Sequence, residues 1–256
     1  MINDNKIYLG LDVSTETIGI CLLMDDGSEN GKILELTHVK PKIPTKLKHT
    51  MESLFLKKRI FEEFIVKYKD FGIDECVIEE PLLRSNNIMT VGTLLRFNGM
   101  VSDCVYSVLG IVPTYISSYD ARMYAFPQLM AIRKFGKDGE QYEKSKILRE
   151  IKNSKMVLFG SYPWTIDKKS VLQEFVSERF PDIEWLYNKK GELKKENFDA
   201  SDSYVAVLGS LNKKRKGDLK FSVDNITESN NDGVLKVEYD VNYWDVKEHR
   251  VTYIGD

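Results

Sequence analysis

A mixed α/β sheet flanked by helices is the fold class this sequence predicts, and three observations predict it. The chain opens with three consecutive strand-like segments separated by polar or glycine turns. After them, segments of helical period alternate with short apolar strands. The tail then returns to alternating strand-like text.

The elements follow in order. Residues 6–24, KIYLGLDVSTETIGICLLM, read as two strands joined by a Ser/Thr turn. Gly27 and Gly31 punctuate the next turn, and ILELTHVK completes an antiparallel meander. Residues 48–70 place Leu54, Phe61, Phe64, Ile65 and Tyr68 on one helical face, and Gly72 stops that helix. ECVIEEP is a short apolar strand ended by Pro81. A helix over 88–109 carries Val91, Leu94, Leu95, Asn98, Val101 and Val105 on one stripe, fit for the core or a dimer contact. IVPTYIS is a further strand, and SYDARMYAF starts a helix.

Residues 126–196 are mixed, with a helix from Lys144 to Ile151, the SYPWT segment and a helix near 166–179. NFDASDSYVAVLGSL reads as the last core helix. KKRKGD is a solvated break before the strands LKFSVDNI, VLKVEYDV and HRVTYIG. A meander followed by strand–helix alternation implies a five-stranded mixed sheet with helices on its faces. The expected organisation is one domain over 1–212, with an insertion at about 152–196, and a β-rich C-terminal extension over 213–256.

The bulk composition excludes several classes. With 42% hydrophobic and 30% charged residues, the chain can bury a core and does not read as disordered. A net charge of −2 leaves a polyanionic partner to depend on local basic patches rather than on the whole molecule. Cys21, Cys76 and Cys104 sit in apolar runs without zinc-site spacing, so buried free thiols in a reducing compartment are expected. MINDNK lacks a signal core and no apolar run reaches spanning length, which predicts an intracellular, cytoplasmic protein.

Four acids stand out. Asp12 interrupts the apolar LGLDV, Glu79 ends CVIEEP, and Asp199 and Asp202 lie three apart on one helical face. Each has a local explanation: a turn cap, a strand-end charge, and an N-cap with a dipole partner. Together they are harder to explain locally, because two strand ends and one helix bring them to one sheet edge. Close carboxylates repel unless cations sit among them, and an all-oxygen set favours magnesium or manganese. Two such ions ~4 Å apart activate water and stabilise the leaving oxygen of a phosphodiester.

In that order, LGLDVSTETIG, VIEEP and FDASDSY resemble the catalytic strands and helix of the RuvC-type Holliday junction resolvases, a branch of the ribonuclease H-like superfamily. VIEEPLLRSNNIMTVGTLLRFNGMV resembles that family's acidic strand, loop and helix, SYDARMYAF its Y-x-A-R segment and YEKSKI its E-K-S segment. The resemblance implies a ribonuclease H-like sheet, two Mg²⁺ ions with Mn²⁺ as substitute, cleavage of four-way DNA junctions, and a homodimer. By the same resemblance Asp12, Glu79, Asp199 and Asp202 are the catalytic metal ligands. Glu79 is preferred to Glu80, which points to the opposite strand face. This chain departs from the pattern at Leu82 and Leu83, where the family often has an aromatic, and at Ala125, where bacterial members have lysine.

Basic and polar residues complete the expectation. Lys144, and less strongly Lys146, lie by the E-K-S segment and are candidates to face the scissile phosphate. Arg84 and Arg122 are candidate phosphate contacts, Arg122 alternatively pairing with a local acid. Ser14 is a candidate donor to a phosphate oxygen, although turn chemistry also explains it. KPKIPTKLKH, NKKGELKK and NKKRKG are basic clusters able to meet DNA backbone, or simply solvated surface. Trp164, Trp185 and Trp244 read as packing anchors rather than base-stacking platforms. Two other functions compete: an ATP-dependent kinase of the actin-like superfamily, disfavoured by the absence of a second glycine-rich phosphate loop, and a non-cutting junction-binding protein.

Overall fold

The computed structural model describes residues 5–47, 51–81, 88–131, 140–155, 157–158 and 168–255. Arg84, Leu82, Leu83, His49 and the SYPWT segment with Trp164 lie outside the described residues. The chain divides into two compact units, one of residues 1–125 and 172–211, the other of residues 126–171 and 212–256. The tail strands thus share a unit with the segment that begins at Phe126, and residues 172–196 belong with the first unit.

The first unit is built on a five-stranded sheet. Strands β1 (Ile7–Val13), β2 (Ile18–Met24) and β3 (Lys32–Val39) form the antiparallel meander, and β4 (Glu75–Glu79) and β5 (Thr114–Ile116) add in parallel. The strand order is β3-β2-β1-β4-β5. That is the mixed ribonuclease H-like arrangement the motifs implied. Helix α1 (Met51–Ile65) connects β3 to β4, and α2 (Ile88–Leu109) connects β4 to β5. Parallel neighbours need such crossovers, because a tight turn cannot return the chain to the same end of the sheet.

Strand alternation sorts the side chains between two faces. Leu9, Leu11, Val13, Ile18, Ile20, Leu22, Cys76 and Ile78 form one face. They pack on Leu54, Phe61 and Ile65 of α1 and Phe97, Val101, Cys104 and Val105 of α2 in one core. The other face holds Gly10, Asp12, Gly19, Cys21, Val77 and Glu79, by the pairing Gly10↔Cys21, Asp12↔Gly19 and Gly10↔Val77. Helix α3 (Ser118–Ala125) follows β5, and the first unit closes with the body of α6 (Lys195–Lys216).

Helix α6 lies on the second face where the sheet has no side chains in its way. A Cβ on Gly10 would stand 2.3 Å from the Ser203 carbonyl, and one on Gly19 would stand 1.9 Å from the Asp199 carbonyl. Gly209 does the same for α3, its virtual Cβ 2.4 Å from the Ala121 carbonyl. Close approach of backbone to backbone is what glycine permits. Buried Tyr204, Val205, Val207 and Leu208 anchor the helix in apolar surroundings.

The second unit contains a three-stranded antiparallel sheet of β8 (Phe221–Asn231), β9 (Val234–Tyr243) and β10 (Val246–Ile254). It also holds α4 (Lys144–Lys152) and the short pair β6 (Met130–Ala131) and β7 (Val157–Leu158). Helix α5 (Lys168–Arg179) begins in this unit and continues into the first. The expected break at KKRKGD falls later than its sequence suggests, since α6 continues through Lys216. The four basic residues of its last turn complement the helix dipole and favour that extension. Among the described residues, no helix is long and apolar enough to cross a membrane.

Candidate active site

Strand register puts Asp12 and Glu79 on one face of the sheet. β1 and β4 run parallel and pair as far as Leu11 with Ile78, and Asp12 and Glu79 each follow that last pair on the same sheet face. Adjacent strands are about 4.8 Å apart, within reach of two carboxylates sharing a cation. Both residues are half-buried at the strand ends. Glu80 lies beyond the strand, exposed, with its amide donating to the Ile116 carbonyl at 2.7 Å.

Asp199 and Asp202 enter from α6. Gly19, the partner of Asp12 across β1 and β2, is the residue on which the Asp199 backbone rests. The helix begins at Lys195, so Asp199 sits past the first turn and is not an N-cap. Asp202 is buried and its Oδ1 accepts from the Arg122 guanidinium at 3.2 Å. Their side chains are 3% and 17% exposed, which makes this a charge pair largely withdrawn from water.

The four acids offer carboxylate oxygen, the donor type a hard divalent cation takes. Among the described residues, however, no three His, Cys, Asp or Glu side chains close into a ready metal-binding group. Arg122 supplies a positive charge at Asp202, as a carboxylate buried this deeply requires.

The remaining candidates have local roles. Ser14 accepts from the Thr17 amide at 2.9 Å and donates to the Thr17 carbonyl at 2.8 Å, so its hydroxyl shapes the turn after β1. Lys144 and Lys146 belong to the second unit. Lys144 Nζ donates to the Gly233 carbonyl at 2.8 Å, and Lys146 Nζ stands 3.7 Å above the Tyr142 ring.

Two lysines near the acids were not singled out in the sequence. Lys57 of α1 donates to the Thr15 carbonyl in the turn that follows Asp12. Lys40, just beyond β3, pairs with Glu196 at 2.6 Å. Its ammonium pKa is raised first by that hydrogen bond, and the charges of Glu16 and Asp199 add to it. Lys40 opens the basic stretch KPKIPTKLKH, but only the meander shows that this stretch begins beside the first turn of α6.

Strand order and the acids on one face define an α/β fold of the ribonuclease H-like class with a carboxylate-bearing sheet edge. No family model matches the sequence, and no curated protein matches it. Solved structures do. Thermus thermophilus RuvC aligns over 82% of this chain and 96% of its own, at 13% identity and a TM-score of 0.42. T. thermophilus RuvC in complex with a Holliday junction substrate aligns over 83% and 96%, at 13% identity and 0.45. The yeast mitochondrial Holliday junction resolvase Ydc2 aligns over 84% and 81%, at 12% identity and 0.42. At such identities the likeness concerns the course of the chain and nothing finer.

Proposed function

We propose that this protein is a divalent-metal-dependent endonuclease that cuts branched DNA, four-way junctions foremost. The observation that supports the reading is the register that ends at Leu11 with Ile78 and leaves Asp12 and Glu79 next on the same sheet face, the face where α6 rests its Asp199 turn against Gly19. The ordered motif set LGLDVSTETIG, VIEEP and FDASDSY supports the same reading independently of any distance.

Asp12, Glu79, Asp199 and Asp202 would hold two magnesium ions, with manganese as a substitute. When bound, such ions supply an activated water and charge stabilisation at the leaving oxygen. The chain's own residues supply position. Gly10 and Gly19 let α6 seat close to β1 and β2, which holds Asp199 and Asp202 in a constant relation to Asp12. Arg122 holds the Asp202 carboxylate in place through its guanidinium hydrogen bond inside the protein. Backbone contacts from Arg84, Lys144, Lys146 and Ser14 are the proposed means of holding DNA, and a homodimer would present two sites for paired cuts.

The test is incubation of purified protein with labelled four-way, three-way, flap and linear DNA, with and without magnesium. Paired nicks in the four-way substrate are expected only with the metal. Asp12→Asn should abolish them while junction binding persists. Undiminished cleavage by that variant removes the assignment.

A further inference from the structure

Outside the acidic edge, the second unit carries a cleft of about 480 Å³ lined by Arg215, Lys216, Asp218, Lys220, Trp244 and Asp245. We propose that this cleft binds an unpaired nucleotide, its base stacked on the Trp244 indole and its phosphate held by Arg215, Lys216 and Lys220. The volume lies within the ~300–1,000 Å³ range of small-ligand sites. Cations set beside an aromatic face are the means by which single strands are held without regard to sequence.

Three features point to the aromatic ring rather than to charge alone. Trp244 and Asp245 form the two-residue turn between β9 and β10, where Tyr243 pairs with Val246. Such a turn favours asparagine or glycine, and Trp244 occupies it at φ +48°, a strained setting for a bulky residue. The ring is also oriented: its Nε1 donates to the Gly217 carbonyl at 3.3 Å, and Lys216 Nζ stands 4.6 Å from its centroid. The helix dipole accounts for basic residues up to Lys216, but it accounts for neither Lys220 nor an aromatic at the turn.

The carboxylates of Asp218 and Asp245 refine the ligand. They repel phosphate from their own wall and accept hydrogen bonds from the amino or imino groups of a base edge. An acidic peptide would gain nothing from them. The choice of DNA over RNA rests on the nuclease reading; the base-and-phosphate chemistry does not.

The experiment measures fluorescence anisotropy of a labelled short oligo(dT) with the full-length protein in the presence of chelator, so that cleavage does not interfere. An abasic oligonucleotide of equal length should bind about tenfold more weakly, as expected for the loss of one stacked base. Trp244→Ala should lose a similar factor and Trp244→Phe should recover most of it. Lys216→Ala with Lys220→Ala should lower the slope of log affinity against log salt by about one to two. Equal binding of the abasic strand overturns the proposal without any variant having to fold, as does wild-type affinity in Trp244→Ala. Those outcomes leave the Asp12→Asn cleavage test untouched, and a failure of that test leaves these intact.

Discussion

Replacing Gly19 by alanine probes the packing on which the acidic edge depends. The new Cβ would stand 1.9 Å from the Asp199 carbonyl oxygen, 2.3 Å from its carbon and 2.9 Å from the Ala200 nitrogen. All three are backbone atoms, so no rotamer change relieves the clash. Ordinary contact begins near 3.4 Å, and α6 must therefore retreat by about 1.5 Å at the turn that carries Asp199. Overpacking of this kind costs about 1–3 kcal/mol. At roughly 2–4 °C per kcal/mol for a domain of this size, the melting temperature should fall by several degrees. Displacement of a catalytic group by ~1 Å lowers rate by about 100-fold. The assay is a thermal melt followed by circular dichroism, paired with junction cleavage. Gly99→Ala is the control: nothing lies within 4 Å of its virtual Cβ on α2, and alanine in a helix should stabilise by up to about 1 kcal/mol. A Gly19→Ala protein with wild-type melting and cleavage would refute the argument that α6 rests on this glycine.

Arg122→Leu should destabilise by about 3 kcal/mol in urea unfolding, because the buried Asp202 carboxylate loses its cation; adding Asp202→Asn should recover part of that loss, and strictly additive effects would deny the coupling. Burial holds the His38 imidazole below its ordinary pKa of 6.5, so the unfolded chain takes the proton first and stability falls as pH drops below about 6.5. Glu196 is held below its ordinary range chiefly by the Lys40 hydrogen bond, so its contribution is present above about pH 4.5 and is lost as pH falls through the depressed value. Unfolding free energy measured from pH 8 to about 2 should show both windows, and His38→Gln should flatten only the upper one. Burial pushes the Cys104 thiol up to about 12 and moves Cys21 and Cys76 in the same direction. Native protein at pH 8 should resist a thiol reagent, while denatured protein yields three reactive thiols; rapid native labelling would contradict the buried core.

Much of the chain was legible because its elements obey local rules. The helix predicted over 88–109 is found at Ile88–Leu109, and the meander, the ECVIE strand and the three tail strands lie where their alternation indicated. Elements governed by distant partners were less legible. The IVPTYIS strand narrows to Thr114–Ile116, because only three residues pair with β4. The last core helix, read from NFDASDSYVAVLGSL, in fact begins earlier, at Lys195, where Glu196 meets Lys40 just past the meander. No pattern within NFDASDSY announces that ion pair.

The sequence by itself determined which residues alternate, which strands are apolar enough to be covered on both faces, and the order in which four acids occur. Those properties depend on neighbours within a few positions. Tertiary structure alone decided that Asp12 and Glu79 follow the Leu11–Ile78 pair on one sheet face, that α6 is admitted by Gly10 and Gly19, and that Arg122 rather than solvent faces Asp202. Register, close approach and ion pairing between segments are set by atoms far apart in the chain. Their energies exist only once the sheet has formed.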